Sequence, residues 1–148
     1  MTYSPKFRGS ILNVPGRQLT TTYVNGSGLL LAQCTPVCTN TLGQAIPIDV
    51  SDETKVGRLI GLLTDDLPMS ASGGVTDAGR LEDVSLGFNV GDVLYVSKAG
   101  FLTSTKPSDG VDGFTTGDFV IFVGVVVKNE FDPLLKDLKL MLSVIGQL

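Results

Sequence analysis

Gly117-Asp118-Phe119-Val120-Ile121-Phe122-Val123-Gly124-Val125-Val126-Val127-Lys128 carries no polar side chain between its Asp and its Lys. Of the nine residues from Phe119 to Val127, six are β-branched and two are phenylalanine. Such side chains are stiff at χ1 and suit a pleated surface better than a helix. As a helix, the run is too short to cross a bilayer. Both alternating sets, Phe119/Ile121/Val123/Val125/Val127 and Val120/Phe122/Val126, are apolar. A strand of this kind needs cover on both faces, inside a closed barrel or beneath another subunit. It is expected at the centre of the core, and nothing on it can react.

Working outward, Asp137-Leu138-Lys139-Leu140-Met141-Leu142-Ser143-Val144 alternates cleanly. Leu138, Leu140, Leu142 and Val144 share one face, with Asp137, Lys139, Met141 and Ser143 on the other. This predicts a half-buried last strand, antiparallel to the apolar run across a hairpin at Asn129–Pro133. Upstream, strands are expected over 80–88 and 93–97, with a tight Lys98-Ala99-Gly100 turn returning Phe101-Leu102-Thr103. The 58–64 run is read as a strand, with a Leu-rich short helix as the competing reading. Ser51-Asp52-Glu53-Thr54 can cap one helical turn that Gly57 stops. A strand over 45–50 contains Pro47, which places it at a sheet edge. Asn25-Gly26 signals a hairpin joining a Thr-rich strand at 18–24 to a buried Leu29-Leu30-Leu31-Ala32 strand. Residues 35–44 and 65–79 are expected as polar loops, the second long enough to be functional.

The count is about nine short, mostly antiparallel strands and no substantial helix. The expected fold is therefore all-β, a single small barrel or sandwich over 18–148, preceded by an extended arm at 1–17. The arm holds a basic group, Lys6, Arg8 and Arg17, in a chain of net charge −4. It also holds an apolar island, Phe7, Ile11, Leu12 and Val14. These seven are the candidate contact residues. The island can lie on another subunit, or 10–14 can form a first edge strand on the domain's own sheet.

Composition excludes several functions. The chain has 148 residues and no histidine, which removes the commonest general base and metal ligand together. Cys34 and Cys38 lack the further ligands of a zinc site and are expected as buried free thiols, a local disulfide being the strained alternative. The carboxylate neighbours Asp52-Glu53, Asp65-Asp66 and Glu82-Asp83 point to opposite faces of any strand and are read as turn charges, as are Asp109 and Asp112. Asp109-Gly110-Val111-Asp112-Gly113 lacks the ligand spacing of an EF-hand loop. Asn25-Gly26-Ser27 matches a glycosylation acceptor but is read as a turn, since no secretory leader is expected. Neither a nucleic acid nor an anionic membrane suits the acidic balance. No cofactor, metal or catalytic residue is expected. Charged residues make up 18% of the chain, below the usual quarter, as in proteins that cover surface with a partner.

Val90-Gly91-Asp92-Val93-Leu94-Tyr95-Val96-Ser97-Lys98-Ala99-Gly100-Phe101-Leu102-Thr103, then Lys106-Pro107-Ser108, then Phe122-Val123-Gly124-Val125-Val126, resembles the small β-domains of tailed-phage head decoration (capsid cement) proteins and related phage fibre domains. The likeness covers roughly the C-terminal half, from about Leu59. It implies a non-enzymatic virion protein, assembled in the host cytoplasm and seated outside an icosahedral shell. Its partners would be the major capsid protein and itself, commonly as a trimer. Phage tail or fibre parts share the same motif. A different class, a small-ligand-binding barrel or a carboxylate enzyme, would need a polar cavity beneath 65–79.

Overall fold

A computed structural model describes residues 20–148 of the protein. They form ten strands and one short helix: β1 Thr20–Val24, β2 Pro36–Thr39, β3 Ala45–Pro47, α1 Glu53–Val56, β4 Leu59–Leu63, β5 Ser72–Thr76, β6 Ala78–Val84, β7 Val93–Val96, β8 Leu102–Thr103, β9 Phe119–Lys128 and β10 Lys136–Gln147. The strands divide into two five-stranded antiparallel sheets, in the orders β6-β10-β9-β7-β8 and β1-β5-β4-β2-β3. The all-β class holds. The closed barrel does not, because among the described residues each sheet keeps its own two edges, and the arrangement is that of a sandwich.

The main core lies between the sheets. Leu62 and Cys38 from one meet Leu94, Val96, Ile121, Val123, Val126, Leu138 and Leu140 from the other. Alternation sends the neighbours of the first pair, Leu63 and Val37, to the opposite face, where they build a second core with Leu31, Ala45, Leu67 and Val75. The β1–β5–β4–β2–β3 sheet is therefore apolar on both sides. Its outer side is closed by two loop segments clipped together, Leu31 N–H donating to the Leu67 carbonyl at 3.0 Å and Leu67 N–H to that of Leu31 at 2.7 Å.

The apolar run is β9, with β10 and β7 on its flanks. The hairpin to β10 is antiparallel as expected, from Lys128↔Lys136 to Phe119↔Gln147. Its inward set is not one alternating series. Val120, Ile121, Val123 and Val126 are buried, while Phe122 and Val125 are only half covered. The cause is a bulge: Phe122 faces Tyr95 and Gly124 faces Leu94, so Val123 is an extra residue against β7.

Elsewhere the short-range signals hold. Asp52 caps α1, accepting from the N–H groups of Thr54 and Lys55, and Gly57 closes it. β3 is an edge strand with Pro47 at its end. The 58–64 run is a strand, β4, and not a helix. Cys34 and Cys38 are free and buried, and burial pushes the Cys34 thiol up to about 12 and raises that of Cys38. Both should stay unmodified by an aromatic disulfide reagent in native buffer and react together once denaturant unfolds the chain; rapid native labelling would contradict this packing.

Four expectations need correction. β1 pairs with β5, not with 29–32, so Asn25-Gly26 is no hairpin turn. Instead Asn25 is a buried clasp, its Nδ2 donating to the Leu29 and Leu67 carbonyls and its Oδ1 accepting from Ser27 N–H. Of the leucine run only Leu31 is buried, Leu29 being 69% and Leu30 66% exposed. Segment 35–44 is not loop throughout, since β2 occupies its start with Pro36 as first residue, where no ladder donor is lost. Nor is 65–79 a loop: it holds β5 and the start of β6.

Candidate interaction surface

The seven residues singled out in the arm, Lys6, Phe7, Arg8, Ile11, Leu12, Val14 and Arg17, lie outside the described residues. What the structure does place is a set of exposed apolar groups on the β6-β10-β9-β7-β8 sheet.

The first lies at the tip of the β9–β10 hairpin. Phe131 is 92% and Leu134 85% exposed. The backbone beneath them is held by Asn129, whose Oδ1 accepts from Phe131 N–H at 2.9 Å and Asp132 N–H at 2.8 Å. The Asn129 amide donates in turn to Asp83 Oδ1 at 2.6 Å and Asp137 Oδ1 at 2.9 Å. Asp137 Oδ2 takes Arg80 Nε–H at 2.7 Å, and Oδ1 takes the N–H of Asp83. Asp83 sits at φ 58°, a left-handed conformation that this network holds in place. Burial pushes the Asp137 carboxyl up, but the Arg80 guanidinium and the Asp83 and Asn129 donors outweigh it and hold it below the usual carboxylate range. The tip is thus tied to β6, and two large apolar side chains are presented on a fixed loop. Alternation on β10 assigned Asp137 to the solvent face; it is 3% exposed, because partners 57 and 54 residues away close over it.

The second group is the outer face of the sheet. Residues directly opposite share a face. The row Val93, Val125, Lys139, Arg80 and the row Tyr95, Phe122, Ser143 therefore lie together. Tyr95 and Phe122 meet edge to face, ring centroids 6.0 Å apart, and neither is buried. Val93 and Met141 are exposed. A second ion pair braces the far end of β9: Lys98 Nζ donates to Asp118 Oδ2 at 2.7 Å, and Thr115 N–H donates to the same oxygen. Burial pushes the Asp118 carboxyl up, and these donors more than offset it, holding it below its ordinary range.

Other acidic side chains accept single backbone or hydroxyl donors. Asp66 accepts from Gln33 N–H, Asp92 from Asn89 N–H and Asp109 from the Thr116 hydroxyl. Among the described residues no group of three His, Cys, Asp or Glu is placed to hold a metal ion. A shallow groove of about 660 Å³ runs along Gly26, Ile48, Asp49, Lys55 and Lys98; none of its lining belongs to 65–79, where the ligand-binding alternative would need its cavity. The Ser51 hydroxyl and N–H hold the Asp49 carboxyl there below its usual range.

Compared with known proteins, the chain matches no protein-family model and no curated protein sequence.

Proposed function

We propose that this protein is a non-enzymatic structural component of a tailed-phage virion, binding the outside of the capsid and stabilising it by clamping neighbouring capsid subunits. The observation that carries the reading is the hairpin tip, where Phe131 and Leu134 stand in solvent on a loop locked by Asn129 and Asp137. Rigid apolar anchors bind without first losing conformational freedom, and such anchors dominate interface energy. The half-exposed face around Tyr95 and Phe122 is separate from that tip and is left for contacts between copies. The sequence likeness over 90–126 supports a phage particle as the partner. In this reading the basic arm residues Lys6, Arg8 and Arg17 meet an acidic shell surface, and self-association, as a trimer, uses the outer sheet face.

The test is co-sedimentation with shells assembled from the major capsid protein of the same virus. Full-length protein carrying Phe131→Asp and Leu134→Asp should lose binding by about a hundredfold, two hot-spot losses of about 1.4 kcal/mol each. Circular dichroism should be unchanged. Wild-type binding by that variant sinks the clamp reading. Copies spread over the whole shell fit decoration, whereas a few copies at one vertex fit a tail or fibre part.

A further inference from the structure

Asn25 and Gly26 are set by packing. Asn25 is buried; its Nδ2 donates to the carbonyls of Leu29 at 2.7 Å, Leu67 at 3.0 Å and Pro68 at 3.3 Å. Its Oδ1 accepts from the Ser27 N–H at 2.9 Å and the Ser27 hydroxyl at 2.7 Å. The end of β1 is thereby joined to both loop segments that close the outer core. Gly26 stands where no side chain fits: a Cβ there would lie 2.5 Å from Gln44 Oε1 and 2.7 Å from Gln44 Cβ. Its N–H donates to the Ala45 carbonyl at 2.9 Å. The packing thus selects a pair that is chemically labile. A glycine after asparagine leaves the intervening backbone nitrogen unshielded from the side-chain amide. Asn25-Gly26 is the one such step in the chain, since Val, Thr, Val and Glu follow Asn13, Asn40, Asn89 and Asn129.

We propose that Asn25 is a deamidation site that the native fold keeps silent, and that its conversion in an opened chain bars return to the native state. In the reaction the Gly26 nitrogen gives up its proton and bonds to Asn25 Cγ. The Cγ–Nδ2 bond breaks, and ammonia leaves with that proton. Water then opens the cyclic imide at either carbonyl, giving aspartate or isoaspartate. In the native state both reacting groups are engaged. The Gly26 N–H is held by Ala45, and the amide that must swing onto it is pinned by Leu29, Leu67 and Ser27. Reaction therefore waits for the clasp to open, and its rate follows the open fraction. The products cannot close the clasp again. Aspartate sets a carboxylate oxygen, with no hydrogen to give, against the Leu29, Leu67 and Pro68 carbonyls. Isoaspartate adds a carbon to the backbone between two paired groups, the Asn25 N–H on the Ala71 carbonyl and the Gly26 N–H on that of Ala45. Opening thus carries an irreversible exit, and time spent open limits the lifetime of the molecule. This depends on the fold alone and not on what the protein binds.

Peptide mass spectrometry on the full-length protein tests it, in mildly alkaline buffer with and without guanidinium chloride. In the denaturant Asn25 should convert, seen as the amide-to-acid mass gain and an isoaspartate peptide, at least about tenfold faster than in the native protein. Asn40 and Asn89, which precede Thr41 and Val90, should stay largely unconverted in both. Ser27→Ala removes the hydroxyl that bonds Asn25 Oδ1 and the Leu29 N–H. It should speed conversion in native buffer by about threefold and leave the rate in denaturant as it was. Asn25→Asp should fail to fold or should unfold at a lower denaturant midpoint. Equal wild-type rates with and without denaturant, or a wild-type native rate in Ser27→Ala, overturn the silent-site assignment. A wild-type midpoint for Asn25→Asp overturns the bar on return.

Discussion

Gly124→Ala should destabilise the protein by about 3 kcal/mol, a large part of the 5–15 kcal/mol by which a domain of this size is ordinarily stable. A methyl group built on Gly124 overlaps the Lys139 carbonyl oxygen and comes within 3.0 Å of its carbon and 3.2 Å of Leu140 Cα. All three are backbone atoms of β10, so no rotamer change relieves the contact. β9 and β10 would have to separate at the centre of their sheet, beside the bulge that aims Ile121, Val123 and Val126 inward. Gly87→Ala is the control, because nothing lies within 4 Å of its added carbon. It should change stability by no more than about 0.5 kcal/mol. Denaturant midpoints at matched slopes measure both. Equal midpoints for the two variants would show that the strands yield where the backbone contact says they cannot.

Asp137→Ala should cost about 2–3 kcal/mol, a figure held down because Arg80 keeps a third of its side chain in water. The substitution strands the Asp83 N–H, the Arg80 Nε–H and one of the two Asn129 amide hydrogens, and leaves the hairpin tip tied to β6 only by Asn129 to Asp83 and Arg80 to the Lys128 carbonyl. Exchange at Phe131 and Asp132 should rise with it. The pH dependence follows in sign. Asp137 and Asp118 both have folded-state pKa values below their unfolded ones. Each therefore contributes stability that is present above the unfolded value of about 3.9 and is lost as pH falls through the folded one. Acid unfolding of the wild type should begin below about pH 4. The Asp137→Ala variant should show a shallower loss of stability over that window. An unchanged slope would mean that Asp137 titrates alike folded and unfolded, against the geometry.

The two halves of the fold were not equally legible. The C-terminal half is a series of neighbours in sequence, β7 with β8 and β9 with β10, each joined by a short turn. There a pattern of period two and a turn residue suffice to place the strands, although the bulge in β9 and the burial of Asp137 depart from simple alternation. In the N-terminal half β2–β3 and β4–β5 are also neighbours, but the pairings that set the sheet order are longer in range: β1 joins β5, and β2 is inserted between β3 and β4. Asn25-Gly26 and the leucines after it signal a hairpin only if the next strand is the partner, and here it is not. The surface shows the same division. Phe131 stands in a polar turn, a local signal that reading the segment as a hairpin end passed over, whereas the Asp137 network left no local signal, because its members are drawn from 80–83, 129 and 137.

From the residues alone came the all-β class, the central apolar strand, its hairpin partner and the capped helical turn, since each depends on contacts within a few residues. Only the tertiary structure decided that the strands form two sheets rather than one barrel, that Asp137 is buried and Leu29 is not, and that the chain passes from one sheet to the other at Asp77. Those outcomes depend on which distant segment occupies a given edge or face, and local pattern carries no term for that.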